Sequence, residues 1–252
     1  MSSLDYDRVA DAYHRRYAQS PMPGVARALN DLAEAHAARR ILEVGCGTGR
    51  WLEALQAPHR KLVGLDPSRG MLLQARTRLP HVPFIQAVAE ALPLAPASFD
   101  LIFLVQVLHH LADPVQFIHA ARRVLNAGGA LALAGIDFHA PDFVWYIYNY
   151  FEGVRARDEA RYPRWEQVRA WMVEAGFEQI TTRVVHVTDV TFVGEEVFGD
   201  VFLSKSATSQ LALLSDEAYE AGLARIRAAI TADPLSLFQT HMDMVMLVGR
   251  CG

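Results

Sequence analysis

Glu43 stands two residues ahead of Gly45, Gly47 and Gly49, and Asp66 closes the next apolar run. Residue types in this pattern suit a nucleoside-type ligand. Glycines on a strand-to-helix turn let a ligand approach the backbone closely. An acid at the end of the neighbouring strand can accept hydrogen bonds from both hydroxyls of a ribose. A dinucleotide turn reads G-x-G-x-x-G, because its pyrophosphate sits on the helix N-terminus. Here the third glycine comes one position early and Arg50 follows it. That spacing suits a ligand whose adenosine and amino-acid parts cross the turn without a diphosphate. Asp66 could also cap the helix that begins at Ser68, and a carboxylate has oxygens enough for both roles.

Candidate general bases are His109, His110 and His139, which follow two later apolar runs. The pair His109-His110 reads more simply as a helix start packed on its neighbours. His139 sits in a loop beside Asp137 and is the better placed catalytic candidate. The two cysteines, Cys46 and Cys251, make neither a disulfide framework nor a Cys-rich zinc site. Asp137 alone is too few acids for a divalent-cation site of the catechol type, so no metal is expected.

For these groups to meet, the apolar runs must be neighbouring strands. Ile41–Val44, Lys61–Leu65, Val82–Gln86, Phe99–Val105 and Leu131–Ile136 read as five strands. Helices are predicted between them: Thr48–Gln56, Arg69–Arg78 with Ser68 as cap, and one from Pro114 to Leu125 that Gly128-Gly129 ends. Regular alternation of this kind argues for a parallel sheet with helices on both faces. Trp165–Glu174 is a further helix, stopped by Gly176. Ile180–Val187 and His241–Val248 are strands, and Ser215–Ile230 is a helix capped by Ser215. Residues 137–163 are rich in aromatics, and Trp145, Tyr148 and Phe151 follow helical spacing.

With 252 residues and 52% apolar composition, the chain can bury a substantial core. A net charge of −4, with no long basic run, argues against a nucleic-acid partner. The apolar stretch Leu101–Leu108 is too short to span a bilayer, so no membrane insertion is expected. The acidic and basic residues near the start leave no secretory h-region, which together with the few cysteines points to a cytoplasmic setting.

The segments "LEVGCGTGRW", "GLDPSRGMLLQAR", "AEALPLAPASFDLIF", "LHHLADP" and "RVLNAGGALALAG" occur in order over residues 41 to about 136. In this they resemble successive motifs of the class I S-adenosylmethionine-dependent methyltransferases, and the small-molecule subgroup of ubiquinone/menaquinone-biosynthesis type above all. "YDRVADAYHRRY" resembles that subgroup's leading helix, and "VRAWMVEAGF" the helix before its sixth strand. The resemblance implies a doubly wound, Rossmann-like, seven-stranded and mostly parallel sheet of order 3-2-1-4-5-7-6, with the last strand antiparallel. Helices cover both faces, and a helical, aromatic lid completes the fold.

The cofactor implied is S-adenosylmethionine. By position, Glu43 would face its methionine amino end, and Gly45, Cys46 and Gly47 would supply backbone contacts. Asp66 would hold the ribose hydroxyls, Pro67 and Met71 would flank the adenine, and Ala89 and Glu90 would lie along its edge. Leu104 and Val105 would approach the sulfonium, and Tyr13 and Tyr17 would close over the carboxylate. The family commonly carries an acid for the adenine amino group two positions before that glutamate. Val88 stands there instead, so the amine needs Glu90, a backbone carbonyl or water.

Taken together, residues 1–252 read as a single methyltransferase domain: an N-terminal helical cap (1–40), a cofactor-binding core (41–136) and acceptor-side insertions (137–163 and 190–236). The leading expectation is in-line methyl transfer to a small, hydrophobic acceptor. A non-catalytic module that binds the same cofactor, and a nicotinamide-dependent oxidoreductase, are the alternatives. The sequence assigns no oligomeric state.

Overall fold

The structure, a computed structural model, describes residues 21–252, so Tyr13 and Tyr17 lie outside the described residues. Contacts divide the chain into two units. The larger holds Met22–Ile136, Pro163–His186 and Met244–Gly252; the smaller holds Asp137–Tyr162, Val187–Asp243 and, among the described residues, Pro21.

The larger unit is built on β1 (Arg40–Val44), β2 (Lys61–Asp66), β3 (Phe84–Gln86), β4 (Phe99–Val105) and β5 (Leu125–Ile136). These run parallel in the order β3-β2-β1-β4-β5. The long last strand, β8 (Leu237–Cys251), then pairs antiparallel with β5 from Ile136↔Met244 to Ala130↔Arg250. A further strand, β7 (Phe177–Val193), pairs with β8. The predicted order therefore returns, with eight strands in place of seven. The extra one is the two-residue β6 (Val144–Trp145), which shifts the numbering of those after it.

Strand alternation decides the layering. Ile41, Leu101, Phe103, Val105 and the alanines Ala130, Ala132 and Ala134 face α1 (Pro23–Ala35) and α2 (Arg50–Ala54). Leu42, Ile102, Leu104, Leu131 and Leu133 face the opposite layer, α4 (Pro114–Val124) and α7 (Trp165–Glu174). Phe117, Ile118, Ala121 and Val124 form one fully buried stripe of α4, where each large side chain contributes about 1.5–3 kcal/mol. That helix starts where the sequence says it should: the Asp113 carboxylate accepts the Gln116 N–H at 2.9 Å and Pro114 fills the first turn. Likewise Ser68 Oγ accepts the Met71 N–H at 3.1 Å and opens α3 (Arg69–Arg78).

Several boundaries differ from the reading of the sequence, two of them beside the glycines. Gly128-Gly129 does not end α4; the helix stops at Val124, and Gly128, at φ 76°, lies inside β5. There the register jumps from Phe99↔Leu125 to Leu101↔Ala130, a bulge that a glycine accommodates. The predicted helix Thr48–Gln56 shortens to α2, because the turn holds the backbone left-handed as far as Gly49.

In the smaller unit, β6 pairs with the first part of β8 through Val144↔His241 and Trp145↔Thr240. Short helices α5 (Ile147–Tyr150), α6 (Val154–Arg161) and α8 (Ser209–Ala212) accompany the longer α9 (Asp216–Ala232). The aromatic segment makes an aromatic core here rather than one long helix. Tyr146 and Phe151 are each 1% exposed, and Phe151 stacks on Tyr219 with ring centres 5.8 Å apart. Among the described residues no helix is long and apolar enough to cross a membrane.

Candidate functional site

The turn after β1 and the end of β2 form one cradle at the carboxyl edge of the larger unit's sheet. Its backbone donors are already engaged. Leu65 O accepts the N–H groups of both Gly45, at 2.7 Å, and Cys46, at 3.0 Å, and Cys46 O accepts the Gly49 N–H at 2.9 Å. Asp66 Oδ2 accepts the Gly47 N–H at 2.8 Å, and its Oδ1 the Ser68 N–H at 2.9 Å. Gly45, Cys46 and Gly47 thus offer a ligand carbonyls and close approach rather than free N–H groups. The reason is local: the turn continues the β1–β2 pairing past the end of the strand.

Two of the glycines answer different demands. A Cβ on Gly45, at φ 69°, would lie 2.5 Å from a Val107 methyl. A Cβ on Gly47, at φ 51°, would meet nothing within 4 Å. Gly45 is required by packing, whereas Gly47 leaves its side of the turn open.

Glu43 is the unusual charge. It is 1% exposed, and burial pushes its carboxyl well up, with the nearby Asp66 carboxylate adding to the rise; a hydrogen bond from the Leu52 backbone opposes it. Its Oε2 has no hydrogen-bond partner among the described residues. Cys46 is buried beside it, and desolvation with the Glu43 and Asp66 charges pushes its thiol well up.

The remaining predicted residues divide. Ala89 opens a short 3-10 turn, Ala89–Ala91, and is 5% exposed, while Val88 just before it is 51% exposed. Glu90 turns away: its Oε1 accepts the N–H groups of Ala112 at 2.7 Å and Asp113 at 3.3 Å. Pro67 is exposed and accepts a hydrogen bond from Gln86 Nε2 at 3.1 Å, and Met71 is 2% exposed. Leu104 is fully buried in the layer of α4, so only its backbone reaches the edge; Val105 lies on the other face.

Gln106, the residue after β4, was not among the predicted site residues. It takes φ 59°, donates its N–H to Ala134 O at 2.8 Å and accepts the Ile136 N–H on Oε1 at 3.1 Å. The left-handed backbone thus ends β4 in a turn that its own side chain ties to the end of β5. The signal available was a lone amide ending an apolar run.

His109 and His110 belong to a 3-10 turn, Leu108–His110, with ring centres 3.9 Å apart. His139 lies in the smaller unit. Its backbone N–H donates to Asp137 Oδ1 at 3.0 Å and its Nε2 lies 2.8 Å from Tyr162 O. A carbonyl only accepts, so Nε2 carries the proton and Nδ1 is the basic nitrogen. Phe138, next to it, packs on Tyr162 and Phe143 at 4.1 and 5.1 Å between ring centres.

Residues 42–133 match the family model described as "Methyltransferase domain". A probable S-adenosylmethionine-dependent methyltransferase of Mycolicibacterium smegmatis is 35% identical over 103 residues, 41% of this chain and 40% of that protein. An uncharacterised protein of Mycobacterium tuberculosis is 31% identical over 156 residues, 62% of this chain and 52% of that one. The matches thus span about a half or less of the curated relatives' length. Among solved structures, a putative methyltransferase from an antibiotic biosynthesis pathway of Anabaena variabilis superposes with a TM-score of 0.68. It covers 89% of this chain and 96% of that one at 19% identity, a likeness of fold.

Proposed function

We propose that the chain, whose residues 42–133 match the methyltransferase-domain model, is an enzyme that moves a methyl group from S-adenosylmethionine to a small, hydrophobic acceptor. One observation carries the choice of cofactor: the glycine positions of the turn after β1 have their N–H groups engaged and leave carbonyls to a ligand. A diphosphate needs free N–H groups, and those of Gly45, Cys46, Gly47 and Gly49 are engaged. A cationic nucleoside needs acceptors, which buried Glu43, with its unpartnered Oε2, and the turn's carbonyls supply. The residues present therefore fit this cofactor.

In that reading Glu43 orients the ammonium end, Asp66 the ribose hydroxyls, and the open side of Gly47 admits the ligand to the backbone. Bound there, the cofactor supplies an electrophilic methyl group on a good leaving group. The chain's own contribution is alignment and exclusion of water. Support for a small, hydrophobic acceptor comes from the motifs' likeness to the quinone-biosynthesis type.

Calorimetry and thermal melting with S-adenosylmethionine, S-adenosylhomocysteine and NADH test the proposal. At a hundred times its dissociation constant a ligand adds about 2.7 kcal/mol to stability. Stabilisation by the two sulfur nucleosides and not by NADH is the expected result; stabilisation by NADH alone overturns it. Mass spectrometry of a metabolite mixture incubated with labelled cofactor then identifies the acceptor.

A further inference from the structure

We propose that the amino edge of the larger unit's sheet carries a second binding site, for an organic anion with an apolar body. A cleft of about 790 Å³ opens there, within the range of small-molecule sites. Arg40 and Lys61 line it; they are register partners that open β1 and β2 side by side. His81 joins them from the segment ahead of β3. No carboxylate lines the cleft. Among the described residues, no ion pair engages the side chains of Arg40, Lys61 or His81. The nearest compensation is Asp100, which caps the Arg39 and Arg40 backbone N–H groups at 2.9 and 2.8 Å and feels the Arg40 charge.

Arg60 adds a donor at the wall. Its side chain is 2% exposed, with one guanidinium nitrogen on Glu34 and the other on Asn30 Oδ1 at 2.7 Å. Its buried Nε has no partner among the described residues. Leaving a buried donor unpaired is costly unless a ligand or water meets it. The rest of the lining is apolar, with Val63, Val82 and Phe99 among it. A lining that combines cations with apolar side chains selects an aryl or acyl phosphate, sulfonate or carboxylate over a bare inorganic anion. The site is separate from the cradle at Glu43 and Asp66, since those residues lie at the other ends of the same two strands. Lys61 and Asp66 stand five steps apart along β2, about 16–17 Å.

Calorimetry of 1-naphthyl phosphate against the full chain saturated with S-adenosylhomocysteine tests this, with inorganic phosphate and 1-naphthol as the split halves of the probe. The expected result is one saturable site, at least about tenfold tighter for naphthyl phosphate than for either half, with affinity falling as salt rises. The double variant Arg40→Gln/Lys61→Gln, exposed positions both, weakens it about tenfold or more while S-adenosylhomocysteine binding holds. In the unaltered protein, the His81 ring resonances shift with the titration, a readout that no variant's folding can disturb. Absence of saturable binding, displacement by S-adenosylhomocysteine, equal affinity for phosphate, or an unmoved His81 overturns the proposal.

Discussion

Asp66 Oδ2 accepts the Gly47 N–H at 2.8 Å, tying the end of β2 to the open glycine of the turn after β1. The carboxylate assigned to the ribose therefore also fixes the turn. Replacing Asp66 by Ala removes an acceptor of charge-assisted hydrogen bonds, worth about 1.5–3 kcal/mol each. S-adenosylhomocysteine should bind about ten- to a hundredfold more weakly by calorimetry. Asp66→Asn, which keeps one acceptor oxygen, should fall between the two. Unchanged affinity in Asp66→Ala would remove the ribose assignment.

Gly45 and Gly47 should separate folding from binding. Gly45→Ala drives a methyl into Val107 at positive φ, so it lowers thermal stability by about 1–3 kcal/mol. Gly47→Ala meets no neighbour and carries only the left-handed cost, about 1 kcal/mol. Its loss should appear in the affinity for S-adenosylhomocysteine, because the new methyl stands on the open side of the turn. Melting curves and calorimetry on the two variants check the contrast; equal loss of affinity per unit of lost stability would contradict it.

Much of the sheet and its helices was legible in the sequence because their signals are local. Phe99–Val105 is a bare apolar run and folds as the strand predicted; Trp165–Glu174 carries its own stop, Gly176, and folds as the helix predicted. What escaped was set by partners far along the chain. Gly128-Gly129 looks like a helix stop, but pairing of Leu125 with Phe99 ends α4 first. The strands Ile180–Val187 and His241–Val248 grow to 17 and 15 residues because β7 and β8 pair, and pairing with β5 carries β8 to Arg250. Glu90 reads as a ligand-facing acid, yet amides 22 and 23 residues later take its carboxylate. Asp158, in the charged segment "VRARDEAR", is wholly buried, which local charge alone does not announce.

Val88, in the position where related motifs carry an acid, should leave the adenine amino group without a carboxylate, since Glu90 is committed to Ala112 and Asp113. The chain should therefore discriminate weakly between S-adenosylhomocysteine and its N6,N6-dimethyl analogue, by less than about fivefold. Val88→Asp, at a position already half exposed, should restore a preference of about tenfold, the value of one good hydrogen bond to a charged group. Competition calorimetry with the two ligands measures it. A strong preference in the unaltered chain would mean that a backbone carbonyl already reads the amine.

Asp158 gives the smaller unit a pH dependence of definite sign. The carboxyl is 0% exposed, and burial pushes it from 3.8 up to about 6. The Tyr148 hydroxyl, donating at 2.8 Å, and the Arg161 guanidinium at 3.4 Å only partly oppose that rise. The folded chain thus holds a proton that the unfolded chain releases near pH 4. The stability this confers is complete below that pH and is lost as pH rises through about 6. Two units of displacement correspond to about 3 kcal/mol across the window. Asp158→Asn keeps an acceptor for Tyr148 and has no charge to bury, so its melting temperature should decline less between pH 4 and 7.5 than that of the unaltered chain. The difference between the two curves isolates this carboxyl from Glu43 and Asp200, which burial raises as well. Parallel curves would show that Asp158 stays ionised inside the fold, held by Arg161 and Tyr148 more strongly than burial repels it.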